Sequence, residues 1–224
     1  MNIVKIVQEY NNNLDDNTVE KETADTFLRY LKSDFKYKRL YKLDKSLIEY
    51  FFAVWVPRYK NHLSQAKYFM QAFDKLIIYI DDVENLPNTL QMIKQYTEEY
   101  NRLYKMKHII EVISGCPIVS YAPLIIDIDL YKDYKLKQGT PQNFTAQAKG
   151  YFMIEDINAD GYINLKNLAK TKSYRILFSP DLLIDFRIGD ILNIEIRRKA
   201  LRLFWEIDRI IAYYPQRALT YLNT

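Results

Sequence analysis

Cysteine, histidine and glycine are scarce in this chain. Its 224 residues include 1 cysteine, 2 histidines and 5 glycines. A single cysteine excludes an internal disulfide framework, and the cysteine and histidines together are too few for a structural zinc site of the usual kind. The shortage of glycine argues against a phosphate-binding loop, and neither GxxxxGKS/T nor GxGxxG occurs. The sequence therefore predicts no metal centre and no cofactor, and it contains no recognised catalytic motif.

Long apolar runs are missing as well. The longest, Leu47 to Val56, is interrupted by Glu49 and is far shorter than the roughly 18 residues that a membrane span requires. The first residues lack the apolar core and the small-residue cleavage site of a secretion signal. We therefore expect a cytoplasmic protein that does not bind a membrane.

Tyrosine is the abundant residue. The chain contains 20 tyrosines against 2 tryptophans. A tyrosine side chain combines apolar area, a ring face and a hydroxyl group, which suits both protein interfaces and base stacking. An AT-rich coding sequence would raise tyrosine together with asparagine, lysine and isoleucine, and this explanation stays open. The net charge of +4 is too small by itself to indicate nucleic-acid binding.

Helical periodicity dominates the first half of the chain. Apolar residues recur three and four positions apart, which is typical of amphipathic helices. Ser46 and Glu49 match a capping box before the apolar run, and Pro57 should end or bend the helix that follows. The pattern predicts helices over about residues 3–14, 23–31, 46–56, 64–80 and 88–114. We predict that residues 1–114 form an all-α helical bundle.

The pattern changes after residue 114. Helical periodicity stops at a Ser-Gly-Cys-Pro stretch, and residues 115–146 are predicted to be a connecting segment. From residue 147 apolar and polar residues alternate, and Asp160-Gly161 is typical of a turn between two strands. About five short strands in residues 147–224 predict a small antiparallel β-barrel of the OB or SH3-like kind. The expected fold class is α+β.

The segment DINADGYINLKN, residues 156–167, resembles an EF-hand loop, in particular the dockerin version. Oxygen-bearing side chains occupy positions one, three and five, from Asp156, Asn158 and Asp160. The resemblance implies a bound calcium ion. The family places a bidentate carboxylate at position twelve, where this chain has the neutral Asn167, and the preceding residues alternate like a strand. We therefore interpret the segment as a β-hairpin and keep the calcium site as the alternative.

Two basic clusters are candidate binding sites. The first interleaves cations with aromatic rings: Lys36, Tyr37, Lys38, Arg39, Tyr41 and Lys42. The second lies across a predicted hairpin of the C-terminal domain: Arg197, Arg198, Lys199 and Arg202. Cations neutralise phosphates while rings stack on bases, so both clusters suit a nucleic acid. A solvated connection between helices and a charged edge that discourages aggregation are the alternatives.

These features favour a non-catalytic binding protein. We expect a protein-interaction or assembly module whose Tyr-rich surfaces contact a protein partner or a second copy of the chain. The alternative is a protein that associates with DNA or RNA through residues 36–42 and the hairpin at residues 197–202. A second alternative is an enzyme of a class that has no short sequence motif.

Overall fold

The computed structural model of the chain describes residues 3–33, 43, 45–59, 66–84, 96, 98–106, 109–110, 144–170, 172–178, 180–200 and 202–222. The chain divides into two compact units. The first contains Met1–Val56 and His62–Tyr104, and the second contains Pro57–Asn61 and Lys105–Thr224. The connecting segment predicted for residues 115–146 falls almost wholly on residues 111–143, which lie outside the described part. Its boundaries therefore stay a prediction.

Five α-helices with assigned bounds precede the sheet in the described part of the chain. They are α1 (Ile3–Asn12), α2 (Val19–Ser33), α3 (Lys45–Tyr50), α4 (Val56–Tyr59) and α5 (Ala66–Glu84). One π-helical turn, Phe51–Trp55, joins α3 to α4. Residues 98–106 are also helical. Among the described residues, no helix combines the length and the apolar character needed to cross a membrane.

Helix α2 begins earlier than the apolar spacing predicts. The Thr18 hydroxyl accepts a hydrogen bond of 3.2 Å from the Lys21 backbone N–H, so Thr18 acts as the N-cap. Glu20 and Glu22 lie in the first turn, where negative charge is favourable. The predicted start of this helix at Thr23 is wrong. The first turn of α2 is polar, so apolar periodicity does not reveal where the helix begins.

Helix continues through Pro57 instead of stopping before it. Proline has no N–H to donate and its ring clashes with the carbonyl four residues earlier, so it normally breaks a helix. Here the Val56 N–H donates to the Phe51 carbonyl, one residue further back than in an α-helix. The wide turn at Phe51–Trp55 precedes the proline and the chain stays helical to Tyr59.

The core of the first unit is built from aromatic rings. Phe27, Phe51 and Phe73 meet one another with ring centroids 5.1 to 5.4 Å apart. The buried Tyr30 hydroxyl donates a hydrogen bond of 2.8 Å to the Leu47 carbonyl. Edge and stacked ring pairs add attraction beyond the apolar area that they bury. These contacts hold α2, α5 and the π-helical turn around one centre.

The second unit contains a five-stranded antiparallel sheet. Its strands are β1 (Phe144–Asn158), β2 (Tyr162–Asn167), β3 (Ser173–Leu177), β4 (Ile191–Lys199) and β5 (Glu206–Tyr214), in the order β3-β2-β1-β4-β5. A 3-10 helix (Pro180–Asp185) follows β3, and another (Gln216–Thr220) follows β5. The α+β class and the period-two pattern are thus confirmed.

The predicted closed barrel is wrong, because the sheet is open. The edge strand β3 meets the other end of the sheet at one parallel bridge, between Ile176 and Trp205. The Trp205 N–H donates 2.7 Å to the Arg175 carbonyl there. Beyond Leu177 the chain leaves β3 for a 3-10 helix, so β3 is too short to form a ladder with β5. Closure depends on a pairing far apart in sequence, which strand periodicity does not encode.

Candidate partner-binding surface

The predicted basic cluster of the C-terminal unit lies at the end of β4 and in the connection to β5. Arg197, Arg198 and Lys199 are the last residues of β4, and Arg202 lies in the connection. Successive side chains of a strand point to opposite faces of the sheet. Arg198 therefore lies on the face opposite to its neighbours, and the structure does not bring the four cations together on one face.

Two of these cations are already paired with carboxylates. Arg197 forms an ion pair of 2.6 Å with Asp208, and its guanidinium lies 4.2 Å from the centroid of the Phe144 ring. Lys199 lies 3.7 Å from a carboxylate oxygen of Glu206 and 5.7 Å from the same ring. The ion pairs join β4 to β5 and the ring contacts join β4 to β1, so both stabilise the sheet. The ion pairs also reduce the positive charge on this face.

The other two cations have different surroundings. The Arg198 guanidinium lies 5.2 Å from the centroid of the Trp205 ring, a cation–π contact. Trp205 itself is buried and packs edge-on against Tyr174 at 4.9 Å. Arg202 is exposed. Among the residues that the structure describes, neither arginine is paired with a carboxylate.

The first basic cluster cannot be compared with the structure. Lys36, Tyr37, Lys38, Arg39, Tyr41 and Lys42 all lie outside the described residues. Their predicted role in binding a nucleic acid or a protein stays a prediction.

A set of exposed or half-buried apolar side chains in the same unit was not predicted. It consists of four side chains, which we call the Tyr162 patch: Tyr162, Leu177, Leu203 and Phe204. Tyr162 and Leu177 are register partners on β2 and β3, and directly opposed residues of a sheet touch. The Tyr162 and Phe204 ring centroids are 5.9 Å apart. Leu203 precedes Phe204 in the chain, so the ring pair brings this part of the backbone next to the end of β3 that carries Leu177.

The two leucines of the patch are exposed, as are Ile184 and Ile188 of the same unit. Leu203 is 82% exposed and Leu177 is 57% exposed. Burying a leucine side chain is worth about 1.5–3 kcal/mol, and here the fold forgoes that gain twice. The two rings beneath are half-buried. An apolar surface with a polar rim is typical of a site for another molecule.

Hydrogen bonds and one cation fix the centre of the patch. The Asn158 side-chain amide donates 2.8 Å to the Tyr162 hydroxyl, and the Arg175 guanidinium lies 5.5 Å from the Tyr162 ring centroid. The Phe178 N–H donates 2.7 Å to the Gly161 carbonyl, which ties the end of β3 to the β1–β2 turn. Rings held in this way lose little freedom on binding, which favours affinity.

The segment that resembles an EF-hand loop is a β-hairpin, as interpreted from the sequence. Asn158 pairs with Tyr162 across the turn, and Gly161 has φ 92°, a conformation that favours glycine. Asp156 accepts a hydrogen bond of 3.1 Å from the Asn164 side chain, and Asn158 Oδ1 accepts one of 2.9 Å from the Asp160 N–H. These oxygens therefore stabilise the hairpin. Within the described ranges, His, Cys, Asp and Glu side chains do not gather in any group of three that could hold a metal ion.

Two buried tyrosines at the end of β5 serve the fold. Tyr213 donates a hydrogen bond of 2.7 Å to the buried carboxylate of Asp190. Burial raises the pKa of Tyr214 to about 12, although the nearby Arg58 guanidinium acts to lower it. Arg58 also donates 3.2 Å to the Tyr151 hydroxyl. Because Tyr213 and Tyr214 are buried, neither is available to a partner.

Sequence reasoning missed every member of the Tyr162 patch, although one signal was visible. Tyr174 and Ile176 are the inward-facing residues of β3, so alternation places Leu177 on the polar face with Ser173 and Arg175. A leucine in a position expected to be polar is the one local signal, and it gains meaning only when other exposed apolar residues lie next to it. The contact between Tyr162 and Phe204 has no such signal, because it joins residues distant in sequence.

A comparison with protein-family models, with curated proteins and with solved structures finds no match to this chain. The function must therefore be inferred from the geometry of its own residues.

Proposed function

We propose that this chain is a non-catalytic binding protein that engages a protein partner through the Tyr162 patch. The observation that carries the proposal is the exposure of two leucines next to a fixed aromatic ring pair: Leu177 is the register partner of Tyr162, and Leu203 precedes Phe204 in the chain. Aromatic and arginine side chains supply most of the binding energy in protein interfaces, and both are present here. A partner that covered the two leucines would recover the apolar burial that the isolated fold lacks.

The arrangement of the rings supports a protein partner over a nucleic acid. Bases stack on open aromatic faces. Arg175 lies over the Tyr162 ring, Phe204 packs against that ring, and Trp205 is buried beneath Arg198. The most exposed side chain of the patch, Leu203, is aliphatic and offers no stacking surface.

A pull-down with matched variants tests the proposal. The full chain, the Leu203→Asp variant and the Ile184→Asp variant are used as bait in an extract of the native cells. Ile184 is 84% exposed, so the control introduces the same charge at an equally exposed aliphatic residue. We expect a discrete protein to be retained by the wild type and the control and lost with Leu203→Asp. Equal retention by all three proteins would contradict the proposal.

Nucleic-acid binding is the second candidate function. Arg198 and Arg202 carry charge that no carboxylate of the described residues offsets, and arginine binds phosphate well. If this function holds, binding of single-stranded RNA or DNA should weaken steeply as salt rises, and Arg198→Ala with Arg202→Ala should flatten that dependence. Binding that does not change with salt, or its absence at micromolar protein, would remove this candidate.

We also propose that residues 1–114 form one helical bundle, joined through residues 115–146 to the sheet domain, and that the protein acts in the cytoplasm. The shared aromatic core of α2, α5 and the π-helical turn supports the bundle. Urea unfolding of residues 1–114 expressed alone tests it, since an independent bundle should unfold in one cooperative transition.

A further inference from the structure

We infer that the protein partner of the Tyr162 patch is a second copy of this chain, bound face to face in a twofold-symmetric dimer. This inference rests on the proposed function. It is carried by two opposite charges at the ends of one cross-strand row, Asp156 on β1 and Arg175 on β3. A surface that carries both charges apart from each other can pair each of them with the opposite charge on a second copy of itself.

The charged row crosses three strands beside the patch. Asp156 is the register partner of Asn164, and Asn164 is the register partner of Arg175. Residues two positions apart on a strand share a face, so this row lies on the face that carries Tyr162 and Leu177. Neighbouring strands are about 4.8 Å apart, which places the backbones at the two ends of the row about 10 Å apart. The row therefore runs from a negative end on β1 to a positive end on β3.

Neither charge of the row is neutralised in the described part of the chain. Asp156 accepts a hydrogen bond of 3.1 Å from a neutral side-chain amide, and the Arg175 guanidinium lies 5.5 Å from the centroid of the Tyr162 ring. Both charged residues are exposed. The adjacent row differs, because there Lys166 lies 3.3 Å from a carboxylate oxygen of Glu155. Only the row beside the patch thus offers two charges to a partner.

A twofold axis satisfies both charges at once. If the axis runs along β2 between two facing sheets, the strand order of the second copy is reversed and β1 of each copy lies over β3 of the other. Each Asp156 then faces Arg175 of the other copy, and the two ion pairs form together. The same operation places the two Tyr162 rings over each other, with Leu177 of each copy beside them.

The balance of charge on this face supports a second copy over other partners. One carboxylate and one guanidinium leave the row neutral, so it attracts neither a phosphate backbone nor a strongly charged peptide. Closed twofold dimers are the commonest assemblies of a single chain, and they require a surface that is complementary to itself. A neutral row with opposite ends, next to exposed apolar side chains, meets that requirement.

The oligomeric state of the full chain provides the first test. Because the face is three strands wide, we expect a weak dimer with a Kd on the order of 10 μM, measured by sedimentation equilibrium between about 1 and 300 μM protein. The mass should rise with concentration from 26.8 kDa towards twice that value. A monomer at every concentration would overturn this inference. The proposed function would still stand if the pull-down retained a different protein through Leu203, and it would fail if no protein were retained.

Charge reversal provides the second test. Asp156→Arg and Arg175→Asp are prepared as separate proteins, with Lys5→Asp at an exposed position of α1 as the control. Each reversal brings like charges together, so we expect the Kd of the dimer to rise about tenfold or more, with little change in the control. An equal mixture of the two reversed proteins should regain the dimer, because one supplies both cations and the other both carboxylates, and this recovery shows that both are folded. A dimer that survives both reversals, or a mixture that stays monomeric, would overturn the inference.

Discussion

The rings of Tyr162 and Phe204 lie with their centroids 5.9 Å apart, which joins the start of β2 to the connection before β5. This contact brings the chain at Phe204, where the neighbouring Leu203 is exposed, next to the register pair of Tyr162 and the exposed Leu177. Without it, each leucine would be a single exposed apolar residue, which is normal on protein surfaces. With it, they form one patch that a partner can cover.

Leu203→Asp should leave the fold intact. Because the side chain is 82% exposed, we expect the free energy of unfolding in urea to change by no more than about 0.5 kcal/mol. The buried Ile163→Ala is the comparison, and it should cost about 2–5 kcal/mol. A large loss for Leu203→Asp would mean that Leu203 supports the fold and does not serve a partner.

Trp55→Ala should destabilise the first unit by about 3–5 kcal/mol, measured by urea unfolding. The Trp55 ring is buried, packs 5.7 Å from both Tyr30 and Phe51, and its N–H donates 3.2 Å to the Ser33 hydroxyl. Trp55→Phe keeps a ring and should lose less. A loss below about 1 kcal/mol for the alanine variant would show that this helix is peripheral.

Tyr214 should make the protein less stable in alkali. Its folded pKa of about 12 lies above its ordinary value of 10.0 because the phenol is buried. A group whose pKa is raised by folding contributes its full stabilisation at pH values below its pKa in the unfolded chain. This contribution is lost as the pH rises through its pKa in the folded protein. Between pH 10 and 12 the loss should be about 2–3 kcal/mol. Tyr214→Phe should remove that part of the pH dependence in urea unfolding at fixed pH, and an unchanged slope would contradict the assignment.

Glu20 should contribute stability that disappears in acid. The Lys75 ammonium donates 2.7 Å to its carboxylate, and this hydrogen bond lowers the pKa of Glu20 below its ordinary value of 4.5. A lowered pKa stabilises the fold above the unfolded value, and the contribution is lost as pH falls through the folded value. Thermal unfolding of Glu20→Gln should therefore show a smaller decrease in melting temperature between neutral and acidic pH than the wild type. Parallel curves for the two proteins would contradict this.

Local chemistry made part of the fold predictable. Asp160-Gly161 predicts the hairpin because Gly161 adopts a positive φ, and alternation predicts the strands because one sheet face is buried. Thr18 was also a local signal, a threonine before acidic residues, but the polar first turn concealed it.

The features that sequence reasoning missed depend on distant contacts. The sheet stays open because pairing between its two ends stops at one bridge, Ile176 with Trp205. The patch exists because the Tyr162 ring contacts the Phe204 ring. The basic cluster was predicted from neighbouring positions. Its division into Arg197, paired with Asp208, and Arg198, stacked on Trp205, follows from strand alternation and from the register of β4 against β5.

Site-specific photo-crosslinking tests the partner-binding role of the Tyr162 patch most directly. A photoreactive amino acid is placed at Leu203 in one protein and at Ile184 in another, and both are irradiated in the native cells. We predict a discrete protein adduct from position 203 that is absent from position 184 and that disappears when Arg175→Glu is added. The same adducts from both positions, or none from position 203, would contradict it.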